Sequence, residues 1–259
     1  MRKLISMLVA VCVVGTFSAS AQEWAKARLD KSPRHLEWIK IKHGDREVDS
    51  FIAYPEVKEK ATAVIVIHEI FGLSDWVRGV TDQLAEAGYI AIAPDFLTGT
   101  GGARGGDGAR GAISGLPADQ ITADLKAAVE YAKKLPACNG KVVVAGFCWG
   151  GRQSFRFATN DKDVKAAFVF YGDAPTGSDM EKIGCPVYGF YGESDARITA
   201  AVPNVADSMK KAGKKYDPVT YEGAGHGFMR SGEAPDASAA NKKAREDAWD
   251  RWKKELKKI

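Results

Sequence analysis

Lys141-Val142-Val143-Val144-Ala145 runs without a break into Gly146-Phe147-Cys148-Trp149-Gly150-Gly151. The β-branched run has the composition and length of a buried strand, and the glycines after it mark a sharp turn. A G-x-C-x-G turn between a strand and a helix strains its central residue and lifts that side chain above the C-terminal edge of a parallel sheet. Here the lifted residue is Cys148, a sulfur where such an elbow more often presents a serine hydroxyl. Alone the turn is a moderate signal, because a cysteine at a strand end is often just a small buried hydrophobe.

Two later strand ends supply partners. Val187-Tyr188-Gly189-Phe190-Tyr191 reads as a strand and is followed by Gly192-Glu193-Ser194-Asp195. Val219-Thr220-Tyr221 reads as another, followed by Glu222-Gly223-Ala224-Gly225-His226-Gly227. Singly, Asp195 reads as an N-cap or turn residue and His226 as a structural loop histidine. Together with Cys148 they follow the chain order of α/β-hydrolases: nucleophile, acid, base. The histidine then takes the thiol proton while the aspartate holds the imidazole tautomer.

The rest of the chain predicts the same α/β fold. A β-hairpin over residues 36–41 and 47–54, turning at His43-Gly44-Asp45, is followed by apolar strands alternating with amphipathic helices. One such helix, residues 118–135, carries Ile121, Leu125, Ala128 and Ala132 at helical spacing. Continuous apolar strands separated by helices mean a mostly parallel sheet covered on both faces, with functional residues at the strand C-terminal ends. No linker or repeat interrupts residues 22–259, which read as one domain.

Four segments together resemble the dienelactone hydrolases (carboxymethylenebutenolidases) from about residue 36 onward. They are His68-Glu69-Ile70-Phe71-Gly72 after the apolar run Val64-Ile65-Val66-Ile67, the Cys148 elbow, the Asp195 loop, and Gly223-Ala224-Gly225-His226-Gly227-Phe228-Met229-Arg230. The resemblance implies Cys148 as nucleophile, His226 as base, Asp195 as its orienter, and Glu69 as a partner of the resting thiol that swings away when substrate binds. It also implies a small lactone or ester substrate bearing a carboxylate, opened through a thioester without a cofactor. In this fold the oxyanion donors are the backbone N–H groups of Trp149 and Ile70. The alternatives are a solvated or first-turn Glu69, and a Trp149 that is plain core packing.

Arg230 matches one carboxylate-binding arginine of the family, and a guanidinium fork suits a carboxylate; the alternative is a surface arginine. The second such arginine, shortly after the strand Ala91-Ile92-Ala93-Pro94-Asp95-Phe96, has no counterpart. A glycine-rich insertion, residues 97–111, stands there, with Arg104 and Arg110 as candidates to complete the pocket. Its Gly106, Gly108 and Gly111 match G-x-G-x-x-G, but a dinucleotide site needs those glycines to join a strand directly to a helix, and here they do not. The insertion reads as a mobile flap beside the site, long glycine-rich insertions being usually functional or disordered.

Met1-Arg2-Lys3, an apolar run from Leu4 to Val14, and Ala19-Ser20-Ala21 read as a signal peptide, residues 1–21, so the mature protein is expected to be periplasmic or secreted. The run is too short to span a bilayer, which takes ~20 apolar residues, so no stable membrane association is expected after cleavage. Losing Arg2 and Lys3 lowers the formal net charge from +4 to about +2, a balance that points to no nucleic-acid partner. The lysine-rich last helix, residues 242–258, has an apolar stripe at Ala248, Trp249, Trp252 and Leu256 and reads as docked on the sheet. Cys138 and Cys185 would lie about two strand spacings apart, ~9.5 Å, which disfavours a disulfide. No Cys or His cluster has metal-ligand spacing, and His35, His43 and His68 stand isolated. Two other readings remain open at this level: a general small carboxylesterase or thioesterase, and a non-catalytic ligand-binding or thiol-sensing protein.

Overall fold

Val64 and Val66 face one side of a sheet, Ala63, Ile65 and Ile67 the other, and all are buried. That two-sided burial is what a continuous apolar strand requires, and it organises the whole molecule. The computed structural model describes residues 22–259; the expected leader, residues 1–21, lies outside them. Eight strands are β1 Leu36–His43, β2 Arg46–Ala53, β3 Ala61–Ile67, β4 Ile90–Pro94, β5 Cys138–Phe147, β6 Ala167–Phe170, β7 Val187–Gly192 and β8 Tyr216–Tyr221. They form one sheet in the order β1-β2-β4-β3-β5-β6-β7-β8. The β1/β2 and β2/β4 pairs are antiparallel, and every other pair is parallel.

The helices are α1 Glu23–Leu29, α2 Asp75–Glu86, α3 Ala109–Ser114, α4 Ala118–Lys134, α5 Trp149–Phe157, α6 Gly177–Met180, α7 Ala196–Thr199, α8 Val202–Lys211, α9 Phe228–Ser231 and α10 Ala239–Leu256. On one face α1, α2 and α10 bury Leu29, Trp76, Val80, Trp252 and Leu256 against Val64, Phe147, Phe168 and Phe170. On the other, α4, α5 and α8 bury Leu125, Val129, Phe155, Phe157 and Met209 against Ile65, Val144, Val169 and Val187. This is the expected α/β-hydrolase architecture with its antiparallel N-terminal strands.

Three local differences from the sequence expectation have physical causes. The hairpin strands run on to a tight turn at Gly44-Asp45, with Gly44 at φ 53°, and His43 pairs with Arg46. Lys42 falls outside the expected first strand, yet as the cross-strand partner of Glu47, with Nζ and Oε1 2.6 Å apart, it belongs in a solvated edge pair. Helix α10 starts earlier than expected because the Ser238 hydroxyl caps it, accepting from the Asn241 N–H at 3.2 Å. The glycine-rich insertion folds: a 3₁₀ turn at Ala103–Gly105 and helix α3 bury Ala109 and Ile113 with Leu97, against Ile70 and Trp149. It is a packed wall of the site, not the expected flap. Its glycines permit backbone contact, since a Cβ on Gly102 would sit 2.5 Å from Ala109 Cα.

Candidate active site

Cys148 occupies φ 56°, ψ −117° between β5 and α5. The elbow closes only because its neighbours lack side chains. A Cβ on Gly146 would lie 2.0 Å from the Gly150 carbonyl oxygen, and one on Gly150 would lie 2.3 Å from that of Ile67. The sulfur thereby stands at the C-terminal edge of the sheet, half-buried, where β3, β6, β7 and β8 also end.

Loops from β7 and β8 deliver the acid and the base, and they are laced to each other. The Ser194 N–H donates to the Ala224 carbonyl at 2.9 Å, and the Gly223 N–H donates to Glu193 Oε2 at 2.9 Å. A Cβ on Gly192 would meet the Ala224 carbonyl at 2.5 Å, so glycine is what lets these loops approach. Asp195 Oδ2 consequently lies 2.5 Å from His226 Nδ1, and His226 Nε2 lies 3.1 Å from Cys148 Sγ. Because a carboxylate only accepts, Nδ1 carries the proton and Nε2 presents its lone pair to the thiol. Asp195 is buried, while His226 keeps about a third of its side chain in solvent.

The backbone N–H groups of Trp149 and Ile70 both point at the sulfur and draw its pKa down. Desolvation and the nearby Glu69 carboxylate outweigh them and push the thiol up to about 11, so it is protonated at rest. Glu69 is itself buried and does not reach the sulfur. Its Oε2 accepts from Arg230 Nε at 2.8 Å and its Oε1 from the Tyr171 hydroxyl at 3.4 Å. Sequence reading missed Tyr171, whose only signal was its place directly after β6. Burial and then Glu69 raise its phenol well above 10, which keeps it a donor. It also missed Arg197 on α7, close enough for its charge to lower the Cys148 thiol.

The three candidate carboxylate-binding arginines separate. Arg230 and Arg110 both lie over the Phe71 ring, at 4.9 and 4.6 Å from its centroid. Arg104 is engaged elsewhere: its guanidinium pairs with Asp49 Oδ2 at 3.0 Å and covers Trp38 at 4.4 Å. A cavity of about 830 Å³ opens beside Phe71, lined by Arg104, Arg110, Arg230, Ser231 and Asn241 among others. Cys148 and His226 do not line it; it adjoins the site at the Glu69–Arg230 pair. Cys138, Cys148 and Cys185 are free, with β6 between the strands that Cys138 and Cys185 adjoin.

The model of the dienelactone hydrolase family matches residues 48–259, a span containing the elbow, both laced loops and the Glu69 segment. The chain belongs to the dienelactone hydrolase family. This family member is 32% identical over 211 residues to a Methylorubrum extorquens AM1 protein named carboxymethylenebutenolidase, covering 73% of this chain and 71% of that protein. A protein of the same name from Escherichia coli K12 is 30% identical over 203 residues, 73% of each. A dienelactone hydrolase crystal structure from Klebsiella pneumoniae superposes with a TM-score of 0.76 at 25% identity, covering 87% of this chain and 99% of that one. As a dienelactone hydrolase family member, the protein is a hydrolase of carboxylic ester bonds.

Proposed function

We propose that Cys148 is the nucleophile of this hydrolase and that it opens a small lactone or ester bearing a carboxylate, through a thioester. The observation that carries the reading is the unbroken line Asp195 Oδ2, His226 Nδ1, His226 Nε2, Cys148 Sγ, ending between two inward N–H groups. His226 Nε2 takes the thiol proton as Sγ attacks the ester carbonyl carbon. The carbonyl oxygen, now an oxyanion, sits between the N–H groups of Trp149 and Ile70. Collapse breaks the C–O bond, and the leaving oxygen takes the proton from the His226 imidazolium. Water, deprotonated by the same nitrogen, then attacks the thioester carbon and returns Cys148 as the thiol.

The resting thiol is protonated, so the reaction needs an event that charges the sulfur. Substrate carboxylate competes with Glu69 for the Arg230 guanidinium, and Arg110 on the other contact of Phe71 adds a second cation. A freed Glu69 swings away from the sulfur, and the thiol's proton passes to His226 Nε2, leaving thiolate beside imidazolium. Keeping the sulfur neutral between turnovers limits oxidation. That matters in the compartment we propose: the first 21 residues direct export, and the processed chain, beginning at Gln22, works in the periplasm or outside the cell.

Turnover of dienelactone and p-nitrophenyl acetate by wild type, Cys148→Ser and Cys148→Ala tests the chemistry. Loss of both activities in Cys148→Ala, with a thioester trapped in acid-quenched wild type, is the expected result. Full activity in Cys148→Ala ends the reading. Turnover of p-nitrophenyl acetate without dienelactone instead favours a general esterase. N-terminal sequencing of the exported protein tests the cleavage site.

A further inference from the structure

His68 is fully buried directly before the Glu69 segment and plays no part in the proton transfers above. Its Nδ1 lies 2.8 Å from the Glu69 carbonyl oxygen. A carbonyl only accepts, so Nδ1 carries a proton. Burial holds the ring's pKa below its ordinary 6.5, so the ring is neutral and Nε2 carries only a lone pair. Among the described residues Nε2 has no hydrogen-bond partner; Asp95 Oδ1 is 3.9 Å away. Burying a ring nitrogen unsatisfied is costly, and a phenylalanine or leucine would fill this apolar site without that cost. The benefit therefore lies at Nδ1.

The carbonyl that Nδ1 engages is one end of the Glu69–Ile70 peptide, and the other end is the Ile70 N–H aimed at Cys148. In a planar trans peptide the two bonds point in opposite directions, so anchoring the carbonyl aims the N–H. The Gly72 N–H also donates to this oxygen, at 3.1 Å. With two donors the peptide cannot rotate without stranding both, and hydrogen bonding at the oxygen strengthens the N–H as a donor. The same imidazole stacks on the Trp149 ring, centroids 5.4 Å apart and planes 17° apart. Trp149 supplies the second inward N–H. One ring thus braces both.

We propose that His68 is a positioning residue for the oxyanion hole: its Nδ1–H holds the Glu69–Ile70 peptide in the orientation that points the Ile70 N–H at the developing oxyanion, while its ring steadies Trp149. The proposal rests on Cys148 being the nucleophile. Removing the donor weakens transition-state binding and leaves ground-state binding and the intrinsic reactivity of the thiolate in place.

The test compares His68→Asn, His68→Gln and His68→Leu on p-nitrophenyl acetate. Asparagine places an amide N–H where Nδ1 was; glutamine places it nearer Nε2. We expect His68→Leu and His68→Gln to lose about 10- to 100-fold in kcat. KM stays within about threefold, and His68→Asn recovers most of the loss. Affinity for a trifluoromethyl ketone, which forms a tetrahedral oxyanion on sulfur, falls by the same factor as kcat. Alkylation of Cys148 by iodoacetamide creates no oxyanion, so its limiting rate at high pH, where the sulfur is thiolate, is kept, while the thiol pKa moves up as the Ile70 N–H turns from the sulfur. Unchanged kcat in His68→Leu overturns the proposal, as does equal loss in Asn and Gln, or the limiting alkylation rate of the thiolate falling in step with kcat. If His68→Leu does not fold, the Asn and Gln pair decides alone. Cys148→Ala, run in parallel, separates the cases: if it stays active, the nucleophile assignment has failed and not merely the role of His68.

Discussion

Glu69 Oε2 lies 2.8 Å from Arg230 Nε, so the carboxylate whose charge most directly raises the Cys148 thiol is held by the arginine expected to meet substrate. The carboxylate is buried and the guanidinium partly so. Breaking it changes sulfur chemistry and stability together.

The Cys148 thiol stands at about 11 from desolvation first and Glu69 second. Glu69→Gln removes a negative charge that favours the protonated form, and it leaves Arg230 free to favour the thiolate. The thiol pKa therefore moves down, by about one unit or more. Alkylation by iodoacetamide followed across pH should rise at lower pH in the variant. Superimposable profiles exclude a gating role for Glu69.

Arg230→Met strands the Glu69 carboxylate in a buried position. With a quarter of the arginine side chain exposed, the cost falls below that of a fully buried pair, at about 2 kcal/mol. Chemical denaturation reads it directly. Adding Glu69→Gln to Arg230→Met should restore much of the loss, whereas strictly additive losses argue that the pair is not coupled.

Arg110 and Arg104 should separate in kinetics. Arg110 stacks on Phe71 beside Arg230, while Arg104 is occupied by Asp49 and Trp38. Arg110→Ala should raise KM for a carboxylate-bearing ester about tenfold and leave p-nitrophenyl acetate unaffected. Arg104→Ala should alter neither KM and cost under ~1 kcal/mol in stability, its ion pair being largely exposed. Matching KM changes in both variants refute the assignment.

The strand-turn pattern of Gly146–Gly151 and the loops carrying Asp195 and His226 were legible because each follows an apolar run whose end places it at the sheet edge. The Glu69–Arg230 pair was not, since the partners are 161 residues apart and each was read against a different target, thiol or substrate. The glycine-rich insertion was misread for a general reason. In an isolated chain glycine signals freedom, but Gly102 and Gly106 are dictated by backbone contacts that only the folded insertion creates. His68 looked isolated because its partner is the next residue's own carbonyl, and no side-chain spacing announces a backbone acceptor.

Gly150→Ala should be disabling although it adds one methyl group. The new Cβ would lie 2.3 and 2.5 Å from the carbonyl oxygens of Ile67 and His68. Relief requires moving α5 or the end of β3, at a cost of about 3 kcal/mol. Denaturation and turnover should both show it; a fully active, stable variant would mean that the elbow yields more easily than its packing implies.

The Cys148 turn is a socket walled on every side by main chain, with a Cβ on Gly151 meeting the Phe170 carbonyl at 2.5 Å and one on Gly172 meeting the Arg152 nitrogen at 2.3 Å. Drift in descendants of this sequence is therefore channelled. Novelty in what such a protein accepts has to arise in the panels around the socket, the stretch from Thr98 to Gly115 and the turn before α10, which can be exchanged while the machinery beneath them keeps its dimensions.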